Sequence, residues 1–334
     1  MRSPLLLCVV LGGCGFHTNG APSDGAPIDD APVIDAAPTA IDAALDAAID
    51  APPQPATCWP HWLDHSVALQ GVAPLTALET TGTERDPWIS DDGLRLYFWR
   101  QAPAGTADVY LSVRSVATDP FVTANKLDGF SLPDRDEGRI AFTRDELVAV
   151  VSSNLGGGSP FDIRTATRAN RTAMFGATST DHLAAVNTSN TQHFDPFLSA
   201  NGLHLYLAPV PMGTQQHIAM ATRTALTADF TAAAALAVIN TTEPAAGDSD
   251  PALSPDERII VFSSNRSGGA GAGDLYYATR NDAGQPFGSP LPIPTVNSAF
   301  IDGDPALTSD GCTLYFSSLR GGGNFGLWTA SVVR

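Results

Sequence analysis

The feature that most constrains this chain is a unit of about 50 residues that returns five times between residues 75 and 334. Its clearest copy runs from Asp248 and Asp250-Pro251 through Ser254 and Asp256 to the apolar run Ile259, Ile260, Val261, Phe262. A Gly-rich stretch at 268–273 follows, and then Asp274, Leu275, Tyr276, Tyr277. The last copy repeats this with Asp302, Asp304-Pro305, Asp310-Gly311, Leu314 to Phe316, 321–323 and Leu327-Trp328. Earlier copies carry Asp86-Pro87 with Ser90 and Gly93, and Asp195-Pro196 with Ser199 and Gly202. A degenerate second copy keeps Asp136, Val148 to Ser153, Asn154 and the glycines at 156–158, with Glu137 where proline is expected. Aligning Asp86, Asp136, Asp195, Asp250 and Asp304 gives spacings of 50, 59, 55 and 54.

Each copy holds three short alternating or apolar runs, divided by tight Ser-x-Asp-Gly turns in which Gly or Asn takes positive φ. A fourth run closes several units, at 183–187, 236–240 and 291–297. Four short antiparallel strands per 50-residue unit describe a propeller blade. The expected fold is therefore all-β, a five-bladed β-propeller. The last copy stops after its third strand, and the run Leu75, Thr76, Ala77, Leu78, Glu79 is the expected fourth. Such an N-terminal strand closing the last blade removes the exposed edges of an open array. Residues 58–83 leave no room for a sixth blade.

These motifs resemble the WD40-like repeats of TolB-type propellers, whose signature reads Asp-Pro-x-x-Ser-Pro-Asp-Gly. The resemblance covers nearly all of residues 75–334 and implies a propeller in a cell-envelope setting. The chain departs from it in the second copy's missing proline and in Pro209-Val210-Pro211, which replaces the third copy's glycines. It also shows neither the extra N-terminal domain nor the sixth blade of TolB.

The start of the chain reads as an address. Arg2 precedes an apolar run from Leu5 to Leu11, too short for a membrane span but suited to a secretory signal. Leu11-Gly12-Gly13-Cys14 resembles the bacterial lipobox, which implies a signal peptide over 1–13 and lipidation of Cys14. Gly15 is not the Asp of inner-membrane retention, so the expectation is a lipid-anchored protein of the cell envelope, at the outer membrane. Residues 14–57 form a disordered Ala/Pro/Asp-rich tether with seven aspartates and no basic residue after Cys14 except His17. As a coil it reaches roughly 35–40 Å. The propeller occupies 58–334.

A formal net charge of -17, with Lys126 the only lysine, excludes the clustered basic side chains of a nucleic-acid binder. Cys58 and Cys312 remain once Cys8 and Cys14 are set aside. Outside the cytoplasm they either oxidise to a clasp between the last blade and its closing strand or stay as two buried thiols. His61 and His65 have a spacing that would share one helix face and hold zinc. Pro60 and the lack of a Glu beside His61 favour a surface pair, so no metal site is assigned. There is no Gly-x-Ser-x-Gly elbow, and the glycine runs do not precede helices as phosphate cradles do.

The aspartates at 86, 136, 195, 250 and 304, with Glu84, Asp134, Asp248 and Asp302 two residues earlier, are expected to crowd the channel mouth. They either bind a cation such as calcium, a basic peptide or a sugar, or accept backbone N–H bonds and fix turns. No catalytic residue and no cofactor is assigned. The function expected is a non-catalytic, monomeric envelope module that binds a protein or glycan. The alternative is a glycosidase or polysaccharide lyase using the acids at the mouth.

Overall fold

The computed structural model describes residues 57–127, 129–130, 135–154 and 160–333. The signal, Cys14, the tether up to residue 56, Asp134 and the glycines at 156–158 lie outside the described residues. A short helix, α1 (Trp59–Leu63), leads into β1 (Leu69–Pro74). Five sheets follow around a ring. The first blade holds β2 (Thr83–Ile89), β3 (Arg95–Gln101), β4 (Ala107–Val113) and β5 (Ala124–Lys126). The second holds β6 (Glu137–Phe142), β7 (Val148–Ser153) and β8 (Asp162–Thr167). The third holds β9 (Thr191–Leu198), β10 (His204–Pro211), β11 (Ala219–Thr222) and β12 (Ala234–Ala235). The fourth holds β13 (Asp248–Leu253), β14 (Ile259–Ser264), β15 (Asp274–Thr279) and β16 (Leu291–Pro292). The fifth holds β17 (Asp302–Leu307), β18 (Thr313–Ser318) and β19 (Gly326–Val332), and β1 completes it in the order β1-β19-β18-β17.

The chain is thus an all-β, five-bladed propeller, and β2, β6, β9, β13 and β17 touch in succession around its axis. No helix among the described residues is long and apolar enough to cross a membrane. The closing strand lies earlier than expected. Residues 76–78 form a 3-10 turn, and β1 pairs with β19 through Leu69↔Val332 and Pro74↔Trp328. The runs at 183–187 and 236–240 are also turns rather than strands. Their physical role is nevertheless strand-like. The amides of Asn187, Asn240 and Asn297 each accept from the backbone N–H and donate to the carbonyl of one residue in or just before the third strand (Ile163, Ile218 and Leu275) at 2.8–3.0 Å. A side chain does what the next strand residue would do, so strand pattern and turn pattern look alike in the sequence.

The inner hairpins follow one rule. Ser90, Thr143, Ser199, Ser254 and Thr308 donate to Asp92, Asp145, Asn201, Asp256 and Asp310 at 2.6–2.8 Å. Each of those side chains then accepts a backbone N–H two residues on, at 3.0–3.1 Å. The next residue is left-handed: Gly93, Glu146, Gly202, Glu257 and Gly311 have φ from 57 to 73.

An arginine locks each turn to its blade. Arg114, Arg168, Arg223 and Arg280 stack over Phe121, Phe175, Phe230 and Phe287 at 4.2–4.5 Å. Their Nε groups donate to the carbonyls of Gly93, Glu146, Gly202 and Glu257 at 2.7–2.8 Å. In the fifth blade Val332 stands in that place, and Trp62 of α1 donates its Nε1–H to the Gly311 carbonyl at 2.9 Å. The N-terminal helix therefore supplies what the blade lacks.

Beside it, Cys58 and Cys312 are disulfide-bonded with Cα atoms 5.0 Å apart, 254 residues apart in sequence. Closing so long a loop restricts the unfolded chain by about 5 kcal/mol in the chain-entropy model. Reduction or Cys312→Ser is expected to lower the unfolding free energy by a few kcal/mol, measured by denaturant titration with and without reductant. Equal midpoints would mean that Trp62 and β1 hold the ring shut unaided.

Candidate functional site at the channel mouth

Counting four residues back from each hairpin Ser or Thr reaches Asp86, Asp195, Asp250 and Asp304, all at the inner-strand bulge with φ of 54 or 55. In the second blade the same count from Thr143 reaches Arg139. The register agrees, because Glu137↔Ser153 matches Asp248↔Ser264. Asp136 therefore does not belong to the inner ring, a correction to the aspartate alignment. Its carboxylate accepts the Ala107 N–H at 2.9 Å and the Asn154 amide at 3.2 Å instead. The spacings become 53, 56, 55 and 54, more even than before. Two residues earlier stand Glu84, Glu137, His193, Asp248 and Asp302. Arg100, Arg266 and Arg320 pair with Glu84, Asp248 and Asp302 at 2.9, 2.5 and 2.5 Å.

The inner ring is thus four carboxyls and one guanidinium. Carboxylate oxygens of Asp86, Asp250 and Asp304 lie within 4.8 Å of one another. Arg85 grips Asp304 through Nε and Nη2, both at 2.8 Å, and the Ser317 hydroxyl donates to the same carboxylate. Ser249 donates to Asp250 at 2.8 Å, and Gln216 donates to Asp195 at 2.5 Å. Arg139 is only 1% exposed and donates Nη2–H to the Pro305 carbonyl at 3.0 Å. Its Nε and Nη1 are buried without a hydrogen-bond partner, and so is Oδ1 of Asp86.

Such crowding splits the titrations. Burial works to raise the Asp304 carboxyl, but Arg85 and Ser317 outweigh it and hold Asp304 well below the usual carboxylate range. Burial, and then the Asp304 charge, push Asp86 well above that range. Burial followed by Asp250 and Asp86 does the same to Asp195, and Asp250 is raised by burial and Asp304. The three clustered acids have metal-ligand proximity, but two guanidinium groups already meet their charge, and Arg85 takes both oxygens of Asp304. The donor set fits a built-in counter-ion better than a calcium ion. His61 and His65 do not converge: His61 meets the Ser66 hydroxyl at 3.1 Å, and His65 meets the Tyr277 hydroxyl at 3.4 Å.

On one side of Arg85 the mouth opens into a pocket of about 270 Å³. Its walls carry the half-buried rings of Trp99, Phe161 and Phe194, the last two with centroids 5.1 Å apart. Its charged lining is Asp86, Asp136, Asp195, Arg85 and Arg139, with Gln101 and Ser152 beside them. A second hollow of about 230 Å³ across Arg85 is lined by Gln216, Ser249, Asp250 and Ser263 and has no aromatic wall. A larger groove of about 480 Å³ at the rim, by Val238 and Phe287, is mostly apolar, and its Arg280 is already engaged. The aromatic walls escaped the sequence reading, because Trp99, Phe161 and Phe194 come from three different strands or loops with no shared spacing.

The titration split sets an expected pH dependence. A carboxyl raised in the folded state binds its proton more tightly there than in the unfolded chain. Stability is then full below the ordinary aspartate value, about 3.9, and is lost as pH rises from there through the raised value. Asp304 works in the opposite sense and loses its stabilisation only below that value. Asp86→Asn is expected to raise stability at pH 7 and to flatten the decline between pH 4 and 7, read by thermal melts across pH. An unchanged slope would show that Asp86 is ionised at neutral pH.

No protein-family model and no curated protein matches the chain. Among solved structures it is similar to a glycoside hydrolase at 9% identity and TM-score 0.52, covering 80% of this chain and 90% of that one. It is also similar to TolB from Acinetobacter baumannii at 18% identity and TM-score 0.42, covering 69% of this chain. The chain spans about half, 47%, of that TolB's length. A TolB-related structure from Agrobacterium tumefaciens stands at 17% identity and TM-score 0.42, covering 74% and 76%. The likeness to the glycoside hydrolase, at TM-score 0.52, concerns the propeller fold and nothing finer.

Proposed function

We propose that the chain is a lipid-anchored envelope protein whose propeller is a non-catalytic binding module, with a glycan held at the channel mouth. The observation that carries the reading is the pocket beside Arg85. It joins three aromatic rings to a few converging polar groups, the composition of a small-ligand site. The lipobox at Cys14 and the acidic tether support the envelope setting, since two or more acyl chains attach a protein stably. The tether then holds the propeller off the membrane surface.

One observation favours a second reading, glycoside cleavage. Asp304 is held low while Asp86, within 4.8 Å, is held high, and separated titrations mark acid and base pairs. Against it, Asp304 is fully buried and both its oxygens are bonded to Arg85, leaving it no open side for attack on a sugar. Binding without turnover is the better fit.

The test is retention of the purified chain on immobilised envelope polysaccharides, with reducing-end release measured in parallel. Retention without release is expected, with retention falling at least tenfold in Trp99→Ala. Release of reducing ends would establish the enzyme, and no retention would move the search to protein partners. Separately, metabolic labelling with a radiolabelled fatty acid is expected to mark the wild-type chain and not Cys14→Ser. Equal absence of label in both would remove the anchor.

A further inference from the structure

Resting on the binding-module reading, we infer that the pocket beside Arg85 takes a single neutral sugar ring, received through an adjacent pair of hydroxyls. The argument starts from polar atoms that the fold leaves without partners. Arg139, one of the residues lining the pocket, is among the largest fully buried side chains, yet only its Nη2 is hydrogen-bonded, and its Nε and Nη1 are buried without a hydrogen-bond partner. Asp86, in the same lining, has Oδ1 buried and unpaired. A buried donor or acceptor without a partner costs about 1–3 kcal/mol, more when charged. A ligand that satisfies both recovers that cost.

The unpaired set is donors on one side and an acceptor on the other. A hydroxyl matches both, because its oxygen accepts and its hydrogen donates. Neighbouring ring hydroxyls present two such groups together, one to Arg139 and one to Asp86. Charged relatives fit worse. The charged end of a carboxylate-bearing sugar has no hydrogen to give the Asp86 oxygen, and that of an ammonium-bearing sugar has no lone pair to take the N–H groups of Arg139. The rings of Trp99, Phe161 and Phe194 offer apolar faces to the C–H face of a sugar, while the polar groups converge on its hydroxyls. The volume, about 270 Å³, falls just under the roughly 300 Å³ at which drug-sized sites begin, which suits one ring rather than a bound chain.

The experiment uses the full chain and three probes, methyl β-glucoside, glucuronate and glucosamine, titrated against tryptophan fluorescence with calorimetry as the second readout. The neutral glycoside is expected to bind at least tenfold tighter than either charged sugar. Trp99→Ala and Arg139→Gln are each expected to weaken it at least tenfold. If Arg139→Gln does not fold, Trp99→Ala and the order of the three probes decide alone. Tighter binding of glucuronate or glucosamine overturns the inference while leaving a glycan-binding mouth. If none of the three binds and immobilised polysaccharide is still retained, the single-ring subsite is wrong and the module reading stands. If neither binds, both fall.

Discussion

At the axis of this propeller like charges meet, because ring symmetry brings the same inner-strand position of every blade to the centre. Five aspartates there would face one another in a buried setting, where mutual repulsion and desolvation both oppose ionisation. The chain meets this constraint in two ways. One blade carries Arg139 in place of the acid, and Arg85, one residue before an inner-ring acid, folds back onto Asp304. Asp304 is kept ionised while Asp86 and Asp195 are driven toward the protonated form. The degenerate second copy is thus the blade that makes the other four tolerable.

The rigidity that holds these groups in place comes from outside the channel. Hairpin Asx bonds set each turn, and an arginine stacked on a phenylalanine ties the turn's carbonyl to the third strand. Glu146 and Glu257, at the left-handed turn position where other blades have glycine, extend this across blade boundaries. Glu146 accepts from Arg95 and Tyr97 of the first blade, and Glu257 accepts from Tyr206 of the third. The fifth blade has Val332 where the others have this arginine, and Trp62 with the Cys58–Cys312 bond takes over. Every blade is therefore braced at its outer turn, which leaves the inner bulges free to present side chains to the axis.

Blade number and closure were legible because an apolar run between turn signals is forced by burial on both faces of an inner strand. The position of the closing strand was not, because Leu75 to Glu79 shares the apolar spacing of the runs at 183–187, 236–240 and 291–297, where an Asn side chain imitates a strand residue. Matching Asp136 to the other aspartates misplaced the second copy by three residues. Counting from Thr143, whose turn bond is the conserved geometry of every hairpin here, would have reached Arg139. The arginine and phenylalanine seven residues apart recur four times and were readable by the same count. The aromatic pocket was not, since its walls converge only in three dimensions.

Restoring the fifth aspartate probes the centre most directly, through denaturant unfolding of Arg139→Asp beside the parent chain at pH 7 and pH 4. If Arg139 is the counter-ion of the ring, the variant loses roughly 3–5 kcal/mol at pH 7. It regains part of that at pH 4, where the carboxyls take up protons. Unfolding curves that coincide with the parent at both pH values would contradict it, and would leave the four aspartates balanced by Arg85 alone.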